Sequence, residues 1–103
     1  MNNPVTYVNG DKYWFINGKL HREDGPAIEY INGSKFWYLN GKRHRENGPA
    51  CEWANGLTYW LKNDKLHRLD GPAKELPDGF KEYWINGKQY NSLEEGLMDQ
   101  ALD

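Results

Sequence analysis

Aromatic, apolar and turn-forming positions recur along this chain with a fixed spacing of 23 residues. An aromatic-Trp pair stands at 13–14, 36–37 and 59–60, His-Arg at 21–22, 44–45 and 67–68, and Gly-Pro-Ala at 25–27, 48–50 and 71–73. A period between about 20 and 50 residues indicates stacked repeats, because a single unit cannot bury its apolar side without a neighbour. The pattern therefore predicts a repeat architecture before any individual element is considered.

Two series of turn pairs keep the same spacing. The first is at 9–10, 32–33, 55–56 and 78–79, and the second is at 17–18, 40–41, 63–64 and 86–87. Asn-Gly between apolar-rich runs favours β-hairpins, since both central residues of a type I′ turn need positive φ. In the central repeat we predict strands over 27–31 and 34–39, turns at 32–33 and 40–41, and a returning segment over 42–49. Antiparallel β structure is predicted for about 5–88.

The first turn determines which side chains share a face of the sheet. A two-residue turn at 32–33 pairs Ile28 with Trp37 and Glu29 with Phe36. Side chains alternate along a strand, so Ile28 and Trp37 share one face and Glu29 and Phe36 the other. The first face is the predicted core, and its members are Val5, Tyr7, Trp14, Ile16, Ile28, Tyr30, Trp37, Leu39, Cys51, Trp53, Trp60, Leu76, Tyr83 and Ile85. The second face carries one row of Glu29, Glu52 and Glu75 and another of Tyr13, Phe36 and Tyr59. It is predicted to be partly solvent-exposed and to face a ligand.

The repeat pattern ends after position 88. Ser92 and Glu95 form a capping box, which predicts a helix beginning at Ser92. Its apolar residues are spaced to lie on one side and are predicted to close the last repeat and cover the sheet edge: Leu93, Leu97, Met98, Ala101 and Leu102. We thus expect one domain over 1–103, with repeats over about 4–88 and a helical cap over about 91–103.

Composition narrows the function classes. The net charge of −2 disfavours a general nucleic-acid binder, which carries excess Lys and Arg. No apolar run approaches a membrane span, and the start lacks the charged and apolar regions of a signal peptide, so a soluble protein is expected. Cys51 is the single cysteine and has no partner for an internal disulfide, which favours a reducing cytoplasm. Aromatic residues make up 15% of the chain, so rings are expected to build much of the core.

The His-Arg pairs are the first candidate site. Arg22, Arg45 and Arg68 recur at the repeat spacing, and a ladder of guanidinium groups could bind phosphates or carboxylates in bidentate fashion. Alternatively, each Arg clamps its own Gly-Pro turn or the neighbouring repeat. We favour the structural interpretation, because a feature that recurs with the scaffold belongs to the scaffold.

The aromatic positions are the second candidate site. Rows of Trp and Tyr are typical of binding hot spots and can also stack planar ligands. The row of Trp14, Trp37 and Trp60 is assigned to the core, because the repeats otherwise have too little apolar area to fold. The rings of the second face are candidate ligand- or partner-binding residues, namely Tyr13, Phe36, Tyr59 and Trp84.

The sequence gives little support for a catalytic site or a metal site. Equivalent residues of successive repeats are separated by a whole hairpin, so His21, His44 and His67 are expected to lie too far apart to share an ion. The same spacing, about 10 Å, argues against Glu29 and Glu52 as an acid/base pair. We therefore predict no enzymatic activity, no cofactor and no metal.

The repeat resembles a known family. Residues 38–44 and 52–60 are similar to the membrane occupation and recognition nexus (MORN) repeat in the order of their turns and aromatic positions. The variant Leu-His-Arg-Glu-Asp-Gly-Pro-Ala at 20–27 resembles repeats common in uncharacterised bacteriophage and giant-virus proteins. The resemblance covers about 4–88, but Arg-x-Asp/Asn-Gly-Pro stands where MORN repeats have a Gly-rich connection. It implies a meander of hairpins in an open twisted sheet and no enzymatic activity.

These observations lead to a functional hypothesis. A non-enzymatic binding module is expected, phage-encoded as the viral resemblance implies, acting in the host cytoplasm as an accessory or counter-defence protein. Its partner is a host protein or a small anionic nucleotide. One alternative is a structural or oligomerisation module, and another is peripheral membrane-lipid binding, which the acidic pI near 5.9 disfavours.

Overall fold

The computed structural model describes residues 3–102 and confirms the predicted all-β architecture. Antiparallel hairpins follow one another in an open meander, and one short helix comes after the last strand. The principal extents are 48 × 31 × 16 Å, so the molecule is a thin plate. Both faces of its main sheet consequently lie near the surface.

The strands are short and nearly all contain two residues. Their bounds are β1 Val5–Thr6, β2 Lys12–Tyr13, β3 Phe15–Ile16, β4 Lys19–Leu20, β5 Ile28–Glu29, β6 Lys35–Phe36, β7 Tyr38–Leu39, β8 Lys42–Arg43, β9 Cys51–Glu52, β10 Thr58–Tyr59, β11 Leu61–Lys62, β12 Lys65–Leu66, β13 Lys74–Glu75, β14 Lys81–Ile85 and β15 Lys88–Tyr90. Nine strands form the central sheet in the order β1-β2-β5-β6-β9-β10-β13-β14-β15, and β3-β4, β7-β8 and β11-β12 are separate two-stranded hairpins.

The second series of turn pairs forms the predicted two-residue hairpins. Asn40 and Gly41 both have positive φ, 52° and 79°, and Leu39 pairs with Lys42. Positive φ at both central residues is the requirement of a type I′ turn. Asn63 and Asp64 adopt the same geometry without a glycine.

The first series forms a longer loop, so the predicted register was wrong by one residue. Ile28 pairs with Phe36 rather than with Trp37, and Tyr30 N–H donates to the Ser34 carbonyl. Only Gly33 has positive φ, and the Asn32 side chain accepts a hydrogen bond from Ser34 N–H at 2.9 Å. A three-residue loop of this kind combines a type I turn with a bulge at the glycine. The Asn therefore acts through its side chain and not through a left-handed backbone.

The shifted register changes which residues share a face. One face, here the aromatic face, carries Val5, Tyr7, Tyr13, Ile28, Tyr30, Phe36, Cys51, Trp53, Tyr59, Lys74 and Glu82. The other, the charged face, carries Thr6, Lys12, Glu29, Lys35, Glu52, Thr58, Glu75 and Lys81 as cross-strand neighbours. Grouping Ile28 with Trp37, and Phe36 with Glu29, was therefore incorrect, since a slip of one residue reverses every side chain.

A tryptophan divides the predicted strand over 34–39 into two. Trp37 N–H donates to the Ala50 carbonyl of the next repeat at 2.7 Å, and its own carbonyl accepts from His44 N–H at 3.1 Å. Trp14 and Trp60 make the equivalent two bonds. The chain thus changes partners at each Trp. The residues before the Trp pair within the central sheet, and the residues after it pair within a small two-stranded hairpin.

The core is small and lies around the alanines that follow Gly-Pro. Ala50 is fully buried and forms a cluster with Cys51 and Leu61, against which Trp37 packs. Trp14 is also buried, whereas Trp37 and Trp60 are half-buried. The assignment of the Trp row to the core thus agrees with its packing, although its rings lie on the charged side of the sheet.

The C-terminal helix α1 spans Leu93–Ala101 and begins at the predicted cap, where Ser92 Oγ accepts from Glu95 N–H at 3.1 Å. The helix packs on β14 and β15 through Gly96, where a Cβ atom would lie 2.9 Å from Ile85 Cδ1. The predicted buried side of the helix was wrong. Close approach requires the residue without a side chain to face the sheet, which leaves Met98 64% and Leu102 80% exposed. Among residues 3–102, no helix is long and apolar enough to cross a bilayer.

We expect Trp37→Ala to lower the free energy of unfolding by about 3 to 5 kcal/mol, because it removes a large ring from the Ala50 cluster. Urea unfolding followed by fluorescence measures the loss. Phe80→Ala is the control, since that ring is 60% exposed and its removal should change little. Equal stability of both variants would contradict the packing role of Trp37.

Candidate functional site

Each arginine of the His-Arg pairs is held in a clamp formed by the Trp that precedes it and the Gly-Pro loop that follows it. The Arg45 guanidinium carbon lies 3.8 Å from the centroid of the Trp37 ring. Its Nη1 donates to the Pro49 carbonyl and to Glu52 Oε2, both at 3.1 Å. The planar guanidinium thus joins the Trp ring to the Gly-Pro loop and to the charged face.

The clamp recurs in the other two repeats. Arg22 and Arg68 each lie 3.8 Å from the centroid of their Trp ring, Trp14 and Trp60. The equivalent bonds are Arg22 to Asp24 at 3.0 Å, Pro26 at 3.1 Å and Glu29 at 3.1 Å, and Arg68 to Asp70 at 2.9 Å and Pro72 at 3.1 Å, with Glu75 at 3.9 Å. Asn47 replaces the aspartate in the central repeat and carries no charge.

Glycine leaves room for each guanidinium. A Cβ atom at Gly48 would lie 2.7 Å from Arg45 Cζ, and at Gly25 and Gly71 the equivalent distances are 2.9 and 2.7 Å. None of these three glycines has positive φ. Glycine is therefore required here for space rather than for backbone conformation.

The same contacts weigh against an anion ladder. The side chains of Arg22, Arg45 and Arg68 are only 21, 29 and 20% exposed, and each faces a carboxylate. A cleft of about 560 Å³ does open between Arg45 and Arg68, but Glu46 and Asp70 also line it. An incoming anion would have to displace these carboxylates, so the geometry favours the structural interpretation.

The histidines connect successive repeats, which the sequence did not predict. His21 Nδ1 accepts from Asn40 N–H at 2.9 Å, and the pairs His44–Asn63 and His67–Asn86 repeat the bond at 3.1 and 2.9 Å. An accepting Nδ1 requires the tautomer with its proton on Nε2. That atom faces Glu23 in the first repeat and Glu46 in the second, and the hydrogen bond from His44 lowers the pKa of Glu46.

The aromatic face carries a continuous row of six rings. Successive centroids are 4.8 to 6.0 Å apart and nearly perpendicular, in the order Tyr7, Tyr13, Tyr30, Phe36, Trp53 and Tyr59. Edge-to-face contacts of this kind are the favoured geometry for aromatic pairs. Three predicted site residues, Tyr13, Phe36 and Tyr59, are thus brought together through the rings of Tyr30 and Trp53.

Two hydroxyls of the row bond to each other. Tyr13 Oη donates to Tyr30 Oη at 3.3 Å, and this hydrogen bond, with burial, raises the pKa of Tyr13 to about 12. Trp84, the fourth predicted ring, is not part of this row, although it shares the face of Glu82 on β14. Glu82 takes the equivalent row position on β14, and Trp84 Nε1 donates to its carboxylate at 2.9 Å.

Asp64 and Arg43 link the β11-β12 hairpin to the β7-β8 hairpin. Asp64, with φ of 68°, accepts from Arg43 N–H at 2.8 Å and from Arg43 Nε at 3.0 Å. Although burial alone would raise the pKa of Asp64, these bonds lower it. Cys51 is 1% exposed, and burial raises the pKa of its thiol to about 11. Such a thiol is not activated as a nucleophile.

No protein-family model matches the chain, and no curated protein matches it significantly. Within residues 3–102, no group of three or more His, Cys, Asp or Glu side chains is placed to hold a metal ion. The candidate surfaces therefore have to be judged from their own geometry.

We expect Arg45→Lys to lower the free energy of unfolding by about 1 to 2 kcal/mol, because an ammonium cannot stack on Trp37 and bind Pro49 and Glu52 in one plane. Gly48→Ala should also destabilise the parent, since its Cβ would meet the guanidinium. The same alanine should cost clearly less in an Arg45→Ala background, where that space is empty. Chemical denaturation of the parent, Gly48→Ala, Arg45→Ala and the double variant measures this coupling. Losses of unfolding free energy that simply add would contradict the clamp.

The His67 contact predicts a pH dependence of stability. Burial and the nearby Lys62 lower the pKa of His67, while Glu46 acts in the opposite direction. Because the folded pKa lies below the unfolded value, this stabilisation is complete above about pH 6.5 and is lost as the pH falls. We expect the melting temperature to decrease from pH 7.5 to pH 5, and less steeply in His67→Asn, whose amide oxygen accepts without titrating. Identical slopes for the two proteins would refute this role.

Proposed function

We propose that this protein is a non-enzymatic repeat module that binds a protein partner through its aromatic face. The observation that carries the proposal is the continuous six-ring row from Tyr7 to Tyr59. Tyr and Trp dominate protein interfaces because they bury a large area at a low cost in side-chain entropy. Since neighbouring strands fix these rings, little further order is lost on binding.

The row is partly accessible and continues into an apolar rim. Tyr7 is 51% exposed, Val5 48% and Phe15 36%, and the other five rings are half-buried. The hydroxyls of Tyr13 and Tyr30 add a polar element within the row. Large rings with polar tips inside an apolar surface are typical of protein interfaces.

A small anionic nucleotide is the less favoured ligand. Perpendicular ring contacts place each ring edge against its neighbour's face, which leaves few faces for a stacked base. The arginines that would hold a phosphate already face carboxylates. Lipid binding has similarly weak support, because the charged face alternates Lys12, Lys35 and Lys81 with Glu29, Glu52 and Glu75.

The resemblance to viral repeats supports a host protein as the partner. Under this hypothesis the module occupies a surface of a bacterial protein and thereby acts as an accessory or counter-defence factor. Such a role needs no catalytic residue.

The test captures partners from bacterial lysate on the immobilised chain and then measures the affinity of a purified partner by calorimetry. Tyr7→Ser and Tyr30→Ser should each weaken binding about 30-fold, as expected for hot-spot rings worth about 2 kcal/mol. Lys12→Ser and Lys35→Ser, on the charged face, are the matched controls and should bind like the parent. Melting temperatures verify that all four variants fold.

Loss of binding in the lysine variants would show that the interface lies on the charged face and not on the aromatic face. A nucleotide that raises the melting temperature of the parent, but not of Arg45→Lys, would replace the protein partner by the anionic ligand.

A further inference from the structure

The junction between repeats is built from main-chain groups and one imidazole. Between the first and second repeats the bonds are Trp14 N–H to Ala27 C=O at 2.8 Å, Arg22 N–H to Tyr38 C=O at 3.1 Å, Gly41 N–H to Leu20 C=O at 2.9 Å, and Asn40 N–H to His21 Nδ1 at 2.9 Å. Strand β2 pairs alongside them with β5. The segment 12–22 thus carries most of the groups that engage the following repeat, and Asp11 just before it accepts from Ile31 N–H at 2.9 Å.

The same set of bonds occurs at the next two junctions. Arg45 N–H bonds to Leu61 C=O and Arg68 N–H to Trp84 C=O, at 3.3 and 3.0 Å. His44 and His67 again accept from the following Asn. Three repetitions define what a receiving surface requires: two carbonyls, two turn N–H groups and an open strand.

The first repeat presents this receiving surface with no repeat before it in residues 3–102. At the receiving positions it has the carbonyls of Pro4 and Phe15 and the N–H groups of Asn17 and Gly18. A Cβ built at Gly18 meets nothing within 4 Å, whereas at Gly41 it would lie 3.7 Å from the Lys19 stem. The surface that Lys19 covers at the first junction is therefore open one repeat earlier.

Strand β1 supplies the open edge. Tyr7 N–H donates to Asp11 C=O, and antiparallel residues alternate between bonded and non-bonded pairs. Val5 and Tyr13 are consequently a bonded pair, and Thr6 and Lys12 are not. The N–H and C=O of Thr6 therefore point away from β2, toward the open edge. Glu29 is the equivalent residue of the next repeat, and its N–H and C=O point toward β2.

We propose that the β1 edge is a docking site for a hairpin of the 12–22 type, with an aromatic-Trp strand, an Asn-Gly turn and an apolar-His-Arg end, supplied by another polypeptide. Its strand would pair with Val5–Thr6, its imidazole would accept from Asn17, and its Arg N–H would donate to Phe15. The site lies on the sheet edge and not on the aromatic face, so an experiment can disprove one of the two proposals without disproving the other.

A second copy of this chain does not fit the site as well. Its three His-Arg units already engage the following repeats, and at the fourth position Tyr90-Asn91 precedes a helix that packs on β14 and β15. Direct pairing of two β1 strands about a two-fold axis would satisfy Thr6. It would also direct the two β3-β4 hairpins to opposite ends, leaving Phe15, Asn17 and Gly18 unpaired.

The test titrates the isotope-labelled full chain with a synthetic peptide of sequence 12–24 and follows amide shifts by NMR. We expect saturable shifts at Thr6, Asn17 and Gly18. A peptide with His21→Ala should bind about five-fold more weakly, which corresponds to one lost hydrogen bond of about 1 kcal/mol. Thr6→Pro in the full chain should abolish binding with little change in melting temperature, because its N–H points away from β2.

Three results would overturn the proposal. The first is the absence of shifts at these amides at millimolar peptide. The second is saturable shifts at Glu29 and Asn40, which would mean that the peptide displaces the chain's own β2. The third is a dimer of the chain alone that protects Thr6 and Gly18, which would assign the edge to a second copy.

Discussion

The arrangement of each repeat depends on a guanidinium held between an indole ring and a glycine backbone. Arg45 stacks on Trp37, bonds to the Pro49 carbonyl and leaves no space for a side chain at Gly48. Ala50, which follows Pro49, is fully buried, and its carbonyl accepts the Trp37 N–H. One side chain therefore fixes the loop that returns the chain, and this loop leads through Ala50 into β9. Lysine offers neither the plane nor the fork that this position requires.

The junctions between repeats depend on polar contacts more than on apolar burial. The mean hydropathy is −0.99, and the largest fully buried side chains are Ile85 and Cys51. Each His Nδ1 takes the place of a main-chain acceptor for the N–H of the following turn. Such bonds need exact geometry, because an unpaired buried N–H costs more than a made bond gains. The strict 23-residue spacing reflects this geometric requirement.

The repeat period was enough to predict the meander, but it could not predict the register. Asn followed by Gly occurs in both turn series, but the Asn backbone is left-handed only in the second series, which forms the two-residue turns. The distinguishing signal is Pro77 in the fourth repeat. A two-residue turn at 78–79 would pair Pro77 with Phe80 and require an N–H that proline lacks, whereas proline suits the first central position of a type I turn. Gly96 is a weak helix former by propensity, yet its missing side chain permits the contact of the helix with Ile85.

The two ends of the sheet are not equivalent, and this asymmetry follows from where the repeat decays. At one end Tyr90-Asn91 replaces His-Arg and α1 packs on β14 and β15. At the other end β1 retains every receiving group of an internal junction. A helix that covers an edge prevents further strand pairing, whereas an uncovered edge permits it. The β1 edge therefore differs from the opposite end of the sheet, and the arginine clamps already hold carboxylates of the charged face. The aromatic face and the β1 edge are the two surfaces that we propose for recognition of another molecule.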